Sequence, residues 1–288
     1  MRAAVPVSAP KQALNRRKPE RPRLELSGPK LAAAFDRLVS GSEEHGGIER
    51  YVTALQAKTA VFRQALERDD ELDLKTFKTL CALSATVRRR VTPYLAPARF
   101  HVLRPEIARL LAGREDTLTT DSRMAVFRGA FPEDRKHRWV HDLAAEILHS
   151  VDPERYPMMC RWVWDAEANT GVLREIWHAE DVDQCVIDAP SRYGTYLVLR
   201  EELSQFLAAN GVFRDVIWYV DLLSAQVYAD YICEQGGTYL RTDFASPEDP
   251  QQHVQRLLGL DGVNLRGRTR LKASDGEAIV VEDVRLLD

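Results

Sequence analysis

Long apolar runs are missing from this chain. No stretch approaches the roughly 18 consecutive apolar residues that mark a bilayer-spanning helix, so a membrane partner is not expected. Residues 1–6 (Met-Arg-Ala-Ala-Val-Pro) carry no apolar signal core, which makes the cytoplasm the expected location. Cysteine is scarce and scattered. Cys81, Cys160, Cys185 and Cys233 form no Cys-x-x-Cys pair, against a zinc knuckle or an iron–sulfur site of the usual spacing. Isolated cysteines among apolar neighbours read as small core residues. Glycine-rich phosphate cradles, a serine elbow, a kinase motif set and a deaminase signature are also lacking, so no motif announces a reaction or a cofactor. His137 and His141 are four apart, as two ligands on one helix would be. No Glu follows His137, and Lys136 and Arg138 add positive charge there, so no metal site is expected.

What is present is helical periodicity. The composition is 45% hydrophobic and 29% charged over 288 residues, enough to bury a sizeable core. Residues 195–235 read as two helices folded back at Asn210-Gly211. The second places Phe213, Val216, Ile217, Val220, Leu223, Val227 and Tyr231 on one face, with Trp218, Tyr219, Leu222 and Ala229 opposite. A helix apolar nearly all round belongs in the middle of a domain. Upstream, helical spacing runs from Leu31 to about Gly113, with Asp73 as an N-cap. Prolines 93, 97 and 105 make a loop before a short helix through Ile107, and Gly113 marks a candidate boundary. Residues 139–151 form a clean apolar face closed by Asp152-Pro153. Asp275-Gly276 between residues 269–272 and 278–281 signals a β-hairpin, which Val284 to Leu287 would extend to three strands. The expected fold is mainly α, a multi-helix globular body with a small C-terminal β-hairpin or three-stranded element. Its divisions would be a tail at 1–29, a helical unit at 30–113, a helical core at 114–260 and the β element at 261–288.

The net charge of −3 conceals an asymmetry. Residues 1–30 hold eight Lys or Arg against Glu20 and Glu25, and five prolines fall within residues 1–29. Such a segment cannot bury enough surface to order itself. Its Arg16-Arg17-Lys18 cluster suits phosphates, as does Arg88-Arg89-Arg90, although three cations in a last helical turn also favour the helix dipole.

Residues 156–188 concentrate Trp162, Trp164 and Trp177 with Arg174, Glu175 and His178. Helices are the expected form, with a hairpin as the alternative. Aromatic walls and polar groups could line a small-molecule site there. His178, beside Glu180, Asp181 and Asp183, would be its acid–base group, with Glu175, Asp181 or Asp221 orienting it or holding a divalent metal. The competing reading is a tryptophan-rich core seam. Asp221 sits in the apolar helix and needs a partner if buried.

These features favour a helical accessory or adaptor protein with a protein partner. The alternatives are a nucleic-acid-associated protein using the tail and Arg88–Arg90, and an enzyme centred on His178.

Overall fold

A computed structural model of the chain describes residues 22–67, 72–179, 185–234, 250–264, 266–272, 278–281, 284, 286 and 287. The fold is mainly α. Two helices, α1 (Gly28–Glu43) and α2 (Ile48–Leu66), lead to α3 (Leu74–Ala82) and the single turn α4 (Ala85–Arg88). Then follow α5 (Pro97–Leu111), α6 (Thr120–Gly129), α7 (Trp139–Val151) and the short α8 (Val172–Glu175). The long hairpin α9 (Tyr193–Ala209) and α10 (Val216–Glu234) precedes α11 (Pro250–Leu257) and the antiparallel strands β1 (Arg268–Lys272) and β2 (Ala278–Val280). No third strand occurs among the described residues.

α10 is the centre of the molecule, as its apolar pattern predicts. It packs against α1, α2, α8, α9 and α11. Its start differs from the expectation: the helix begins at Val216, so Phe213 lies before it and is 76% exposed. The turn between the helices uses Gly211 at φ +87° and Asp215 at φ 55°. α7 is the second buried helix, packed on α2, α4 and α6. Every side chain from Trp139 to Val151 is buried except His141, which is half-buried. One continuous hydrophobic cluster extends from Leu31 to Leu271 and crosses the boundary expected at Gly113.

Three local expectations are revised. The helix expected to run from Asp73 into the arginines is broken. Asp73 caps α3 by accepting from the Thr76 N–H (2.6 Å), but α3 stops at Ala82 and Ser84 precedes α4. The loop expected through Pro105 is instead the interior of α5, with Pro97 in its first turn. An interior proline costs a helix one hydrogen bond; here it falls on the exposed side, while Leu103 and Ile107 anchor the buried one. The segment Tyr156–Trp177 forms neither two full helices nor a regular hairpin. It is a chain of turns closed by an Asp165–Thr170 bridge and the single turn α8. Its order comes from long-range bonds: Trp164 Nε1 donates to the Ala189 carbonyl (2.8 Å), and Tyr196 Oη to the Trp164 carbonyl (2.6 Å).

Of the segment expected as tail, residues 1–21, with Arg16, Arg17 and Lys18, lie outside the described residues. Residues 22–29 do not continue that expectation. Leu26 bridges to Trp177, the Ser27 N–H donates to the Ile176 carbonyl (2.8 Å), and α1 starts at Gly28.

Candidate functional site

Two groups of charged side chains dominate the structure. One lies inside. α7 presents Asp142, Glu146 and His149 one turn apart, and each meets a partner from another part of the chain. Asp142 accepts from the Arg161 guanidinium (2.7 Å) and backbone N–H (3.0 Å). Glu146 Oε2 accepts from Lys58 Nζ (2.9 Å), which also donates to the Leu258 carbonyl. The Lys58 and Glu146 side chains are 3% and 0% exposed. His149 Nε2 lies 2.9 Å from Asp221 Oδ2 and its Nδ1 2.8 Å from the Tyr156 carbonyl.

Both neighbours of His149 are acceptors, so a charged imidazolium donates from both nitrogens. Burial works against that charge, but the Asp221 charge and hydrogen bond, the Tyr156 carbonyl and Glu146 outweigh it. The His149 pKa is therefore raised above its ordinary value. Asp221, expected from the sequence to need a partner, has one: His149, not His178. The pair floors a crevice beside Arg200, Ser224, Met158 and Leu199. The crevice measures about 340 Å³ with its open mouth, but the space inside is about 20 Å³, room for one water. Small-molecule sites span roughly 300–1,000 Å³.

Of the sequence-derived site residues, Asp221 alone is among those lining this crevice. Trp164 is fully buried and spent on the Ala189 carbonyl. Trp162 is buried against Tyr228, their rings 5.9 Å apart. Arg174 Nη1 donates to the Cys185 carbonyl (3.3 Å). Glu175 lies close enough to Tyr228 and Tyr231 to add, after burial, to the rise in both phenol pKa values, Tyr228 reaching about 12. Trp177 is half-buried at its bridge to Leu26, and His178 is exposed, its N–H donating to the Glu25 carbonyl (2.8 Å). The acids Glu180, Asp181 and Asp183 lie outside the described residues.

His137 and His141 face different partners. His137 meets Asp134 and the Tyr94 hydroxyl, while His141 Nε2 donates to the Met159 carbonyl (3.0 Å) and burial lowers its pKa. Among the described residues no group of three His, Cys, Asp or Glu is placed to hold a metal. Burial pushes the Cys81 and Cys160 thiols well up, as suits core residues.

The second charged group lies at the surface, where α4, α11 and β1 meet. α11 ends in a turn laid directly on the α3–α4 junction. A Cβ at Gly259, whose φ is +73°, would fall 1.8 Å from the Leu83 carbonyl oxygen, and one at Gly262 2.3 Å from that of Ala82. Only glycine permits this approach, and it sets Asp261 against α4. There one carboxylate serves three guanidiniums: Arg88 Nη2 at 2.8 Å, Arg270 Nε at 2.9 Å and Arg256 Nε at 3.6 Å. Arg88 is thus a buried member of a cluster rather than a solvated helix end. Burial lowers its pKa, Asp261 resists, and Arg270 and Arg256 add to the fall. Burial and three neighbouring arginines also lower that of Arg89.

Further cations lie on the same elements. Arg89 and Arg90 are exposed. On β1, Thr269 and Leu271 are buried while Arg268, Arg270 and Lys272 face outward. From Gly262 to Ser274 the sequence holds Arg266, Arg268, Arg270 and Lys272 and no acid. Asp275, Glu277, Glu282 and Asp283 of the same hairpin lie outside the described residues. This face was half legible: Arg88–Arg90 stood out as a run, but Asp261, Arg256 and β1 join it only through folding.

No helix among the described residues is long and apolar enough to cross a membrane. No protein-family profile, curated protein or solved structure matches the chain.

Proposed function

We propose that this chain is a helical accessory protein that associates with nucleic acid through the arginine face formed by α4, α11 and β1. One observation carries the reading: three guanidiniums converge on the Asp261 carboxylate, and Arg90, Arg268 and Lys272 are exposed on the same elements. Clustered guanidiniums on a surface attract phosphates, and counterion release drives such binding. The test is fluorescence anisotropy of labelled mixed-sequence nucleic acid with the full chain and with a variant carrying Arg89, Arg90, Arg268, Arg270 and Lys272 as Ala. Wild type binds with steep salt dependence and the variant does not. Equal binding by the two proteins removes the support for this face.

A second reading, contact with a protein partner, draws on α5 and α6. Val102 of α5, Val126 of α6 and Leu118 just before α6 are 58%, 52% and 94% exposed. A shallow groove between these helices is lined by Leu110, Val126 and Phe127. Exposed apolar surface of this kind often marks a docking site. If a Val126→Glu variant recovers the same proteins from native extract as wild type, this groove is not the contact.

A further inference from the structure

Every residue of α5, α6 and the turn between them is described, and the groove they form carries one feature that points to its occupant. Resting on the second reading above, contact with a protein partner, we propose that the groove receives the C-terminus of that partner. The terminal carboxylate meets Arg123, and an apolar last side chain fills the cavity beside it.

The first ground is a half-buried cation with no carboxylate beside it. Arg123 lines the groove and donates from Nε to Thr119 Oγ1 (3.1 Å), from Nη1 to the Leu110 carbonyl (2.5 Å) and from Nη2 to the Tyr156 hydroxyl (2.7 Å). All three acceptors are neutral, and among the described residues Arg123 forms no ion pair. A guanidinium has five N–H donors; these bonds use three and leave two for an anion. The cation also lies over the Tyr156 ring, 5.7 Å from its centroid, and Tyr156 is itself fully buried with its hydroxyl donating to the Arg114 carbonyl. It is therefore held in place before a ligand arrives. The acids nearby are occupied: Glu106 Oε2 by Arg109 Nη1 (2.7 Å) and Asp121 Oδ1 by the Tyr193 N–H (2.8 Å).

The second ground is size. The groove measures about 440 Å³ with its mouth and about 200 Å³ inside, and Leu110, Val126 and Phe127 supply apolar walls. An apolar cavity of roughly 150 Å³ accepts benzene, so one phenyl or branched aliphatic side chain fits. The enclosed space is below the roughly 300–1,000 Å³ of small-molecule sites. In a terminal residue the carboxylate and the side chain leave the same Cα, so both can enter one small space. An internal Asp or Glu brings no apolar group and must carry its chain past the groove on both sides.

The third ground is what a free small acid would leave uncovered. Leu118, Ser122 and Val126 are four apart, the spacing that sets side chains above one another on a helix face. Leu118 and Val126 are exposed, as is Val102 on α5, one turn before Glu106. An acid confined to the cavity leaves this apolar surface in water, whereas the residues preceding a chain terminus cover it. Ser122 Oγ donates to the Thr119 carbonyl (2.8 Å) and keeps acceptor capacity for a peptide N–H. Capture of a terminal carboxylate is a recurring mode of peptide recognition.

The experiment measures fluorescence anisotropy of the full chain with a labelled pentapeptide, Gly-Ser-Ala-Leu-Phe, that ends in a free carboxylate. The same peptide as its C-terminal amide is the control, and unlabelled N-acetylphenylalanine is the competitor. The acid peptide is expected to bind about tenfold tighter than the amide, the scale of a charge-assisted hydrogen bond, and more tightly than N-acetylphenylalanine. Val126→Glu, at an exposed position, should abolish binding of the acid peptide. Arg123→Gln should bring the acid down to the affinity of the amide. Circular dichroism shows whether that variant is folded; where it is not, the acid–amide comparison on wild type decides. Equal binding of acid and amide overturns the carboxylate assignment and leaves the groove as a contact surface. N-acetylphenylalanine that binds as tightly as the peptide overturns a protein terminus in favour of a small acid. Undiminished binding by Val126→Glu places the peptide elsewhere and overturns the proposal. Failure of both peptides to bind also overturns it, while the comparison of Val126→Glu with wild type in native extract decides separately whether the groove reading stands.

Discussion

The interior of this protein and its arginine face treat charge in opposite ways. Along α7 each ionic side chain is matched by one of opposite sign: Asp142 by Arg161, Glu146 by Lys58, His149 by Asp221. At Asp261 three arginines converge on one carboxylate, with Arg90, Arg268 and Lys272 exposed on the same elements. Matching inside is enforced by solvation, since an uncompensated buried charge costs several kcal/mol. The surface tolerates imbalance because water screens it. Matched pairs inside therefore report on folding, and the exposed cations are the place to test for an anionic partner.

The largest expected effect comes from breaking an interior match. Glu146→Leu leaves the Lys58 ammonium buried beside the Leu258 carbonyl alone. It should destabilise the protein by about 3–5 kcal/mol, while the double variant Lys58→Met/Glu146→Leu should recover most of that. Chemical denaturation of the single and double variants reads the difference. A double variant as weak as the single one would mean that packing, not charge, sets the cost.

Gly259→Ala comes next. Its Cβ would strike the Leu83 carbonyl at a positive φ, for about 1–3 kcal/mol of strain. Because the same turn positions Asp261, nucleic-acid affinity should fall together with stability. Loss of stability alone would uncouple the turn from the face.

The His149–Asp221 pair gives a smaller, pH-dependent effect. The folded pKa of His149 is raised, burial opposing and Asp221 prevailing. Its stabilisation is therefore complete below the unfolded value of about 6.5 and fades as pH rises through the folded value. Thermal unfolding followed from pH 5 to 9 should show this decline, and Asp221→Asn should flatten it. A wild-type profile that climbs over the same interval would contradict the assignment.

Smallest for stability is R268A/R270A/K272A, expected within about 0.5 kcal/mol of wild type despite its large effect on binding. The tail can be separated from the face by deleting residues 1–21. A longer deletion through residue 30 would also remove the Leu26–Trp177 bridge and the start of α1.

Local pattern made the helices legible. Asp73 announced α3, the apolar circumference of α10 announced a central helix, and alternation announced β1 and β2. Tyr156–Trp177 was illegible because bonds to Ala189 and Tyr196, not local periodicity, define its turns. Asp221 could be recognised as a buried acid, yet His149 was hidden in an apolar face 72 residues away. Arg88 carried a sufficient local explanation as a helix-end cation. Asp261, 173 residues on, makes it part of a cluster, and only the close glycine approach at Gly259 and Gly262 brings the two together. What tertiary contact creates, a single sequence does not display.

The most direct test of the central claim is the salt dependence of duplex binding by wild type and R268A/R270A/K272A side by side. The arginine-face account predicts a steep wild-type slope that becomes shallower by roughly 2.7 in the variant. Identical slopes in the two proteins would contradict it.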